Sequence, residues 1–122
     1  MCSSDLKLGI PLLSDVHRFE EIDAAAKILD VVQVPAFLCR QTDFITEIAK
    51  KARVINIKKG QFLAPWDVAN IIEKAKAAGN ENIMITERGA SFGYNNLVLS
   101  YLKCCCLSLD TLLALGKFCR CS

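Results

Sequence analysis

Apolar residues recur along this chain in two rhythms that take turns. Short runs of branched side chains give way to stretches in which apolar positions return every third or fourth residue. The first run is IPLLSDV (10–16), ending in Asp15. FEEIDAAAKIL follows and puts Phe19, Ile22, Ala26 and Leu29 on one helical face. DVVQVPAF (30–37) reads as a second strand, stopped by Pro35. TDFITEIAKKA then spaces Ile45, Ile48, Ala49 and Ala52 as a helix would. VINIKKG is a third strand, and APWDVANIIEKAKAAGN a helix with Pro65 near its start and Gly79 as its C-terminal cap. ENIMITERG (81–89) is a fourth strand. Apolar strands separated by helices predict parallel βα units and an α/β fold. A parallel sheet covered on both faces would read as apolar runs more than as clean alternation.

In such folds ligands sit at the carboxyl ends of the strands. This chain places Asp15 and His17 after the first strand, and Gln33, Ala36 and Phe37 after the second, with Arg40 just beyond. The third strand ends in Lys58 and Lys59, the fourth in Glu87 and Arg88. Polar and cationic groups at one end of every strand converge on one face. Arg40, the lysine pair and Arg88 suit an anion, because a guanidinium grips phosphate or carboxylate with two parallel hydrogen bonds and an ammonium acts as a point charge. Each residue also has a plainer reading. Solvated strand ends would produce the same pattern. Lys59 is either solvated or paired with a carboxylate, Arg40 a surface charge, His17 a capping or surface residue. Trp66 serves packing, Cys39 is a small buried hydrophobe, and Phe92 and Tyr94 shape a tight loop between glycines.

Composition narrows the choice. The 122 residues suffice for one small domain, and 52 % hydrophobic with 23 % charged residues suits a globular core. A net charge of +2 is too small for a nucleic-acid footprint. No apolar run reaches the roughly 18 residues a bilayer demands, and MCSSDLKLGIP lacks the layout of a secretory signal. No membrane partner and a cytoplasmic location are the expectation. Five of the seven cysteines (Cys104, Cys105, Cys106, Cys119, Cys121) crowd the C-terminal tail, leaving Cys2 and Cys39. A secreted disulfide framework would spread them, and CCC followed by CRC lacks the spacing of a zinc knuckle. No metal site is expected.

Three segments are more specific than this pattern: DVVQVPAFLCRQTD (30–43), INIKKGQFLAPWD (55–67) and ITERGASFGYNNLV (85–98). In this order and spacing, with SDVH (14–17) upstream, they resemble the 3-deoxy-D-manno-octulosonate 8-phosphate synthase family from about Ile10 to Val98. The resemblance implies a (β/α)8 TIM barrel of which this chain holds about four units, strands three to six. It implies a condensation of phosphoenolpyruvate with arabinose 5-phosphate that releases inorganic phosphate, in lipopolysaccharide biosynthesis. It further implies a homotetramer.

Carried over by motif, Lys58 and Arg88 would hold the phosphate and carboxylate of phosphoenolpyruvate. Gln33 and the backbone at Ala36 would line the same pocket. Phe37 would pack near the sugar, and Arg40 would reach across a subunit boundary to the phosphate of arabinose 5-phosphate. Asp15 and His17 would sit at the floor or rim. Lys58, Asp15 and His17 are the catalytic candidates. KKGQFLAPWD and TERGASFGYNNL look like the branch of the family that uses a divalent metal. Its Cys, His, Glu and Asp ligands belong to segments outside the matched stretch, so no cofactor is expected within this one, and Cys39 does not match the ligand cysteine.

Departures set the expected boundaries. Arg18 stands where the family more often has an acid, and LSYLKCCCLSLDTLLALGKFCRCS matches no family segment. Residues 1–8 thus read as a non-native leader, 9–99 as a partial barrel domain, and 100–122 as an unmatched cysteine-rich tail whose abrupt onset suggests a frame change or a mis-joined gene. Half a barrel would leave two sheet edges open, which predicts poor solubility or oligomerisation and no synthase turnover by this chain alone. Two alternatives stand beside this reading: a 3-deoxy-D-arabino-heptulosonate 7-phosphate synthase-like enzyme, from which PAFLCRQTD and FGYNNL point away, and a truncated fragment without catalysis.

Overall fold

The computed structural model describes residues 9–91, 93, 94 and 96–98. The expected leader and the tail, with the cysteines in them, lie outside the described residues. Four strands, β1 (Leu13–Asp15), β2 (Val31–Val34), β3 (Ile55–Lys58) and β4 (Ile83–Thr86), form one parallel sheet in chain order. Helices α1 (Phe19–Ile28), α2 (Thr42–Lys51) and α3 (Val68–Ala77) connect them, with single 3-10 turns at Ala36–Leu38 and Pro65–Asp67. Strand order follows chain order without reversal, as in a barrel wall and unlike a doubly wound sheet. The α/β alternation is the one expected.

The strands are shorter than the apolar runs that announced them. Pro35 ends the second because it cannot donate to a ladder, and the chain turns at once into the 3-10 segment after it. Apolar and polar positions alternate only toward the carboxyl ends of the strands. Val16, Val32, Val34, Ile55, Ile57, Ile83 and Ile85 are buried with Ile22, Phe44, Ile45, Ile48, Ile71 and Ile72 from the helices. Each such side chain contributes roughly 1.5–3 kcal/mol on burial. Residues of the other parity run from Leu13, Val31 and Met84 to Asp15, Gln33, Asn56, Lys58 and Thr86, so the opposite face of the sheet is polar at its carboxyl half. The sequence shows this in retrospect, since INIK alternates.

The helices follow their spacing with one exception. In α2, Ile45, Ile48, Ala49 and the following Ala52 are all buried. In α1, Ile22 is buried but Phe19 is half exposed, its ring edge-on to Phe44 with centroids 5.2 Å apart. Gly79 ends α3 with φ of 97°, the left-handed cap predicted for it. Lys51 on α2 joins Asp23 on α1 at 2.7 Å and Glu47 one turn back at 2.8 Å, and the hydrogen bond to Asp23, then that to Glu47, raises its pKa. Beyond β4 a short antiparallel hairpin forms from β5 (Ala90–Ser91) and β6 (Leu97–Val98), where a tight glycine loop was expected. Tyr94 at its tip is exposed, and Phe92 lies outside the described residues.

Candidate functional site

Lys58 ends β3 and Lys59 follows it, and alternation sends the two to opposite faces. Lys59 goes to the helix side and is fully buried. Its Nζ lies 3.2 Å from Glu87 Oε1 and donates to the carbonyls of Gly60, Leu63 and Gly89 at 3.2, 3.1 and 2.8 Å. Glu87 Oε1 in turn accepts the backbone N–H groups of Arg88 at 3.0 Å and Gly89 at 2.7 Å. Gly89, with φ of 77°, turns the backbone so that its own carbonyl reaches Lys59. A buried charge is tolerated only when paired and hydrogen-bonded, and Lys59 is both. Of its two sequence readings, the carboxylate pair is correct. Lys59 and Glu87 therefore bind the loops after β3 and β4 together and do not join the convergent set of strand-end groups.

Lys58 goes to the open face. Its Nζ is 3.1 Å from Asp15 Oδ2, across three strands, and both side chains are about a third exposed. Asp15 Oδ1 accepts from Gln33 Nε2 at 2.7 Å, Gln33 Oε1 from Asn56 Nδ2 at 2.7 Å, and Asn56 Oδ1 from Thr86 Oγ1 at 3.0 Å. One side chain from each strand thus enters a continuous hydrogen-bonded row, with Lys58 beside its carboxylate end. The register sets the first two links, pairing Asp15 with Gln33 and Gln33 with Asn56, while Thr86, paired with Lys58, reaches back diagonally to Asn56. Arg88 stands two residues past Thr86 and shares its parity.

Asp15, Gln33 and Lys58, named from sequence, are brought together. The other residues named from sequence take no part in this row. Ala36 is buried in the turn after β2, and Phe37 beside it is 84 % exposed. Arg40 is exposed and lines a separate groove of about 260 Å³ with Asp67, Asn70 and Lys74. His17 is exposed, and its backbone N–H donates to Glu21 Oε2 at 3.2 Å across the first turn of α1. Asn56 and Thr86 were not foreseen. The signal for Asn56 was a lone amide inside an isoleucine-rich strand, which serves only a polar neighbour.

Cys39 is fully buried, and desolvation raises its thiol pKa, opposed by the backbone N–H of Gly60 and by Lys59 and Arg40 nearby. It is the small hydrophobe expected. Among the described residues no group of three or more His, Cys, Asp or Glu side chains is placed to hold a metal ion. No described helix is long and apolar enough to cross a membrane.

Fold and site define a parallel α/β chain of barrel-wall type, with a cation–carboxylate–amide row at the carboxyl ends of its strands. The chain matches the model of the DAHP synthetase I family over residues 4–115 and belongs to that family. It is similar to the 2-dehydro-3-deoxyphosphooctonate aldolase of Desulfosudis oleivorans, with 64 % identity over 95 residues, 78 % of this chain and 34 % of that protein. The same-named proteins of Trichlorobacter lovleyi and Geotalea daltonii are 64 % and 63 % identical over 92 and 91 residues, each 75 % of this chain and 34 % of the relative. The likeness read from the three motifs is thereby established. This chain spans about a third of the length of the curated relatives it matches.

Proposed function

We propose that this chain is part of a 3-deoxy-8-phosphooctulonate synthase, its four strands being the third to sixth of an eight-stranded barrel. The reaction condenses phosphoenolpyruvate with arabinose 5-phosphate in lipopolysaccharide biosynthesis. The enol carbon bonds the sugar aldehyde, water adds to the carbon bearing the phosphate ester, and C–O cleavage releases inorganic phosphate. Both substrates carry phosphate, so the pocket must offset charges that would repel each other.

The observation that carries this reading is the ion pair of Lys58 and Asp15 on the open face. An ammonium has three N–H groups. Asp15 engages one and orients the rest, so Lys58 can donate to a phosphate without leaving its partner. Arg88, of the same parity just past the end of the next strand, suits the carboxylate of phosphoenolpyruvate through a two-bond grip. Gln33 and the backbone at Ala36 complete that side, and exposed Phe37 offers a ring to the sugar. Exposed Arg40 is free to reach the sugar phosphate bound by a neighbouring subunit of a homotetramer. Asp15 and His17 stand at the floor and rim. A divalent metal, where the whole protein takes one, is assigned to residues beyond the described ones. The cytoplasm is the expected compartment, since both substrates are phosphorylated intermediates.

Calorimetric titration with phosphoenolpyruvate tests the assignment. Lys58→Ala and Arg88→Ala should each weaken binding about 10- to 100-fold, since hydrogen bonds to charged groups are worth roughly 1.5–3 kcal/mol. Equal affinity in both variants would remove these residues from the site. A heptulosonate synthase is the second reading, favoured only by the family's description. Competition between arabinose 5-phosphate and erythrose 4-phosphate for the substrate-loaded protein separates the two.

A further inference from the structure

The row of side chains on the open face has a direction. A carboxylate only accepts hydrogen bonds, whereas a primary amide has one accepting and one donating end. Asp15 therefore requires the NH2 of Gln33, at 2.7 Å. This turns the Gln33 oxygen toward β3, where the NH2 of Asn56 meets it at 2.7 Å. The Asn56 oxygen then faces β4, where the Thr86 hydroxyl donates at 3.0 Å. Each donor points from β4 toward β1, and Lys58 meets the carboxylate from its other oxygen. A flipped Gln33 would set its oxygen against Asp15 and its NH2 against the NH2 of Asn56. Thr86 is the one member that could serve either direction, because a hydroxyl both donates and accepts.

We propose that Asn56 and Thr86 are positioning residues that lock the Gln33 amide in the setting that aims Asp15 at Lys58. Neither needs to touch a ligand. Asn56 is 5 % exposed, so its amide has no water to fall back on when a partner is lost. The row spans all four parallel strands, and it converts their register into the bearing of one ammonium group. Only the ligand arm of the test rests on the function proposed above.

The test compares wild type with Thr86→Val, Thr86→Ser, Asn56→Leu and Asn56→Asp. Two signals are read: the 15N-resolved side-chain amide of Gln33, and the 13C-methyl resonance of reductively methylated Lys58. Phosphoenolpyruvate affinity is measured alongside. Asn56→Asp is acceptor-only and should flip Gln33, displacing both signals most. Thr86→Val, the mildest change, should move both and weaken phosphoenolpyruvate about three- to tenfold, as one lost neutral hydrogen bond implies. Thr86→Ser should restore both signals and affinity. Unmoved Gln33 and Lys58 signals in folded Thr86→Val overturn the proposal, as does a shift that Thr86→Ser fails to reverse. Moved signals with unchanged affinity overturn its bearing on the ligand. If wild type binds no phosphoenolpyruvate while the signals behave as stated, the positioning stands and the functional reading fails.

Discussion

Lys58 and Lys59 differ in fate although they are neighbours of one type. Alternation gives one to the open face and the other to the helix side, and their surroundings do the rest. Lys59 meets three carbonyls and Glu87 in a space closed to water. Removing one member of such a buried pair leaves the other charge without compensation, which typically costs about 3–5 kcal/mol. Lys59→Met and Glu87→Gln should each lower the unfolding free energy from urea titration by an amount in that range. The double variant should lose less than the two singles combined, because no lone charge remains. Additive losses would mean that the pair is not coupled. Lys58 is about a third exposed, and Lys58→Met should shift the midpoint much less.

At the scale of elements, loops decide how helices and strands meet. Buried Asn80, in the turn after α3, donates to the carbonyls of Ala49 and Ala52 at 3.1 and 2.8 Å and accepts from the backbone of Asn82 at 2.9 Å. It thus ties the end of α2 to the entry of β4. Asn80→Ala would orphan both carbonyls, and thermal or urea unfolding should show a loss of about 1–3 kcal/mol. An unchanged midpoint would mean that water replaces the amide. Helix spacing and the Gly79 cap are legible in the sequence. Asn80 was not, because a single asparagine after a glycine has the same appearance in any turn.

The whole molecule presents a one-sided sheet. Among the described residues helices pack with the apolar parity, while β1 and β4 each pair with a strand on one side only. Ile10 before β1 and Leu13 at its start are about half exposed. Unpaired edges with apolar neighbours invite association. Sedimentation of the purified chain should therefore show species larger than a monomer, and a single monodisperse monomer would contradict this. Much of the candidate site was also legible. Motif likeness singled out Asp15, Gln33 and Lys58, and the register unites them. The strand-end pattern also drew Lys59 and Glu87 into the convergent set, from which burial removes them.

From its residues alone this chain declares strand–helix alternation, the helix faces, the Gly79 cap and a cluster of cations at strand ends. These follow from local periodicity and from the φ demands of single residues, which need no partner to be read. Only the folded arrangement decides which lysine is buried in a structural pair and which stands on the open face, and that Asn56 and Thr86 complete a hydrogen-bonded row. Those outcomes depend on register between strands tens of residues apart. A polar side chain's role is set by the partner that register delivers.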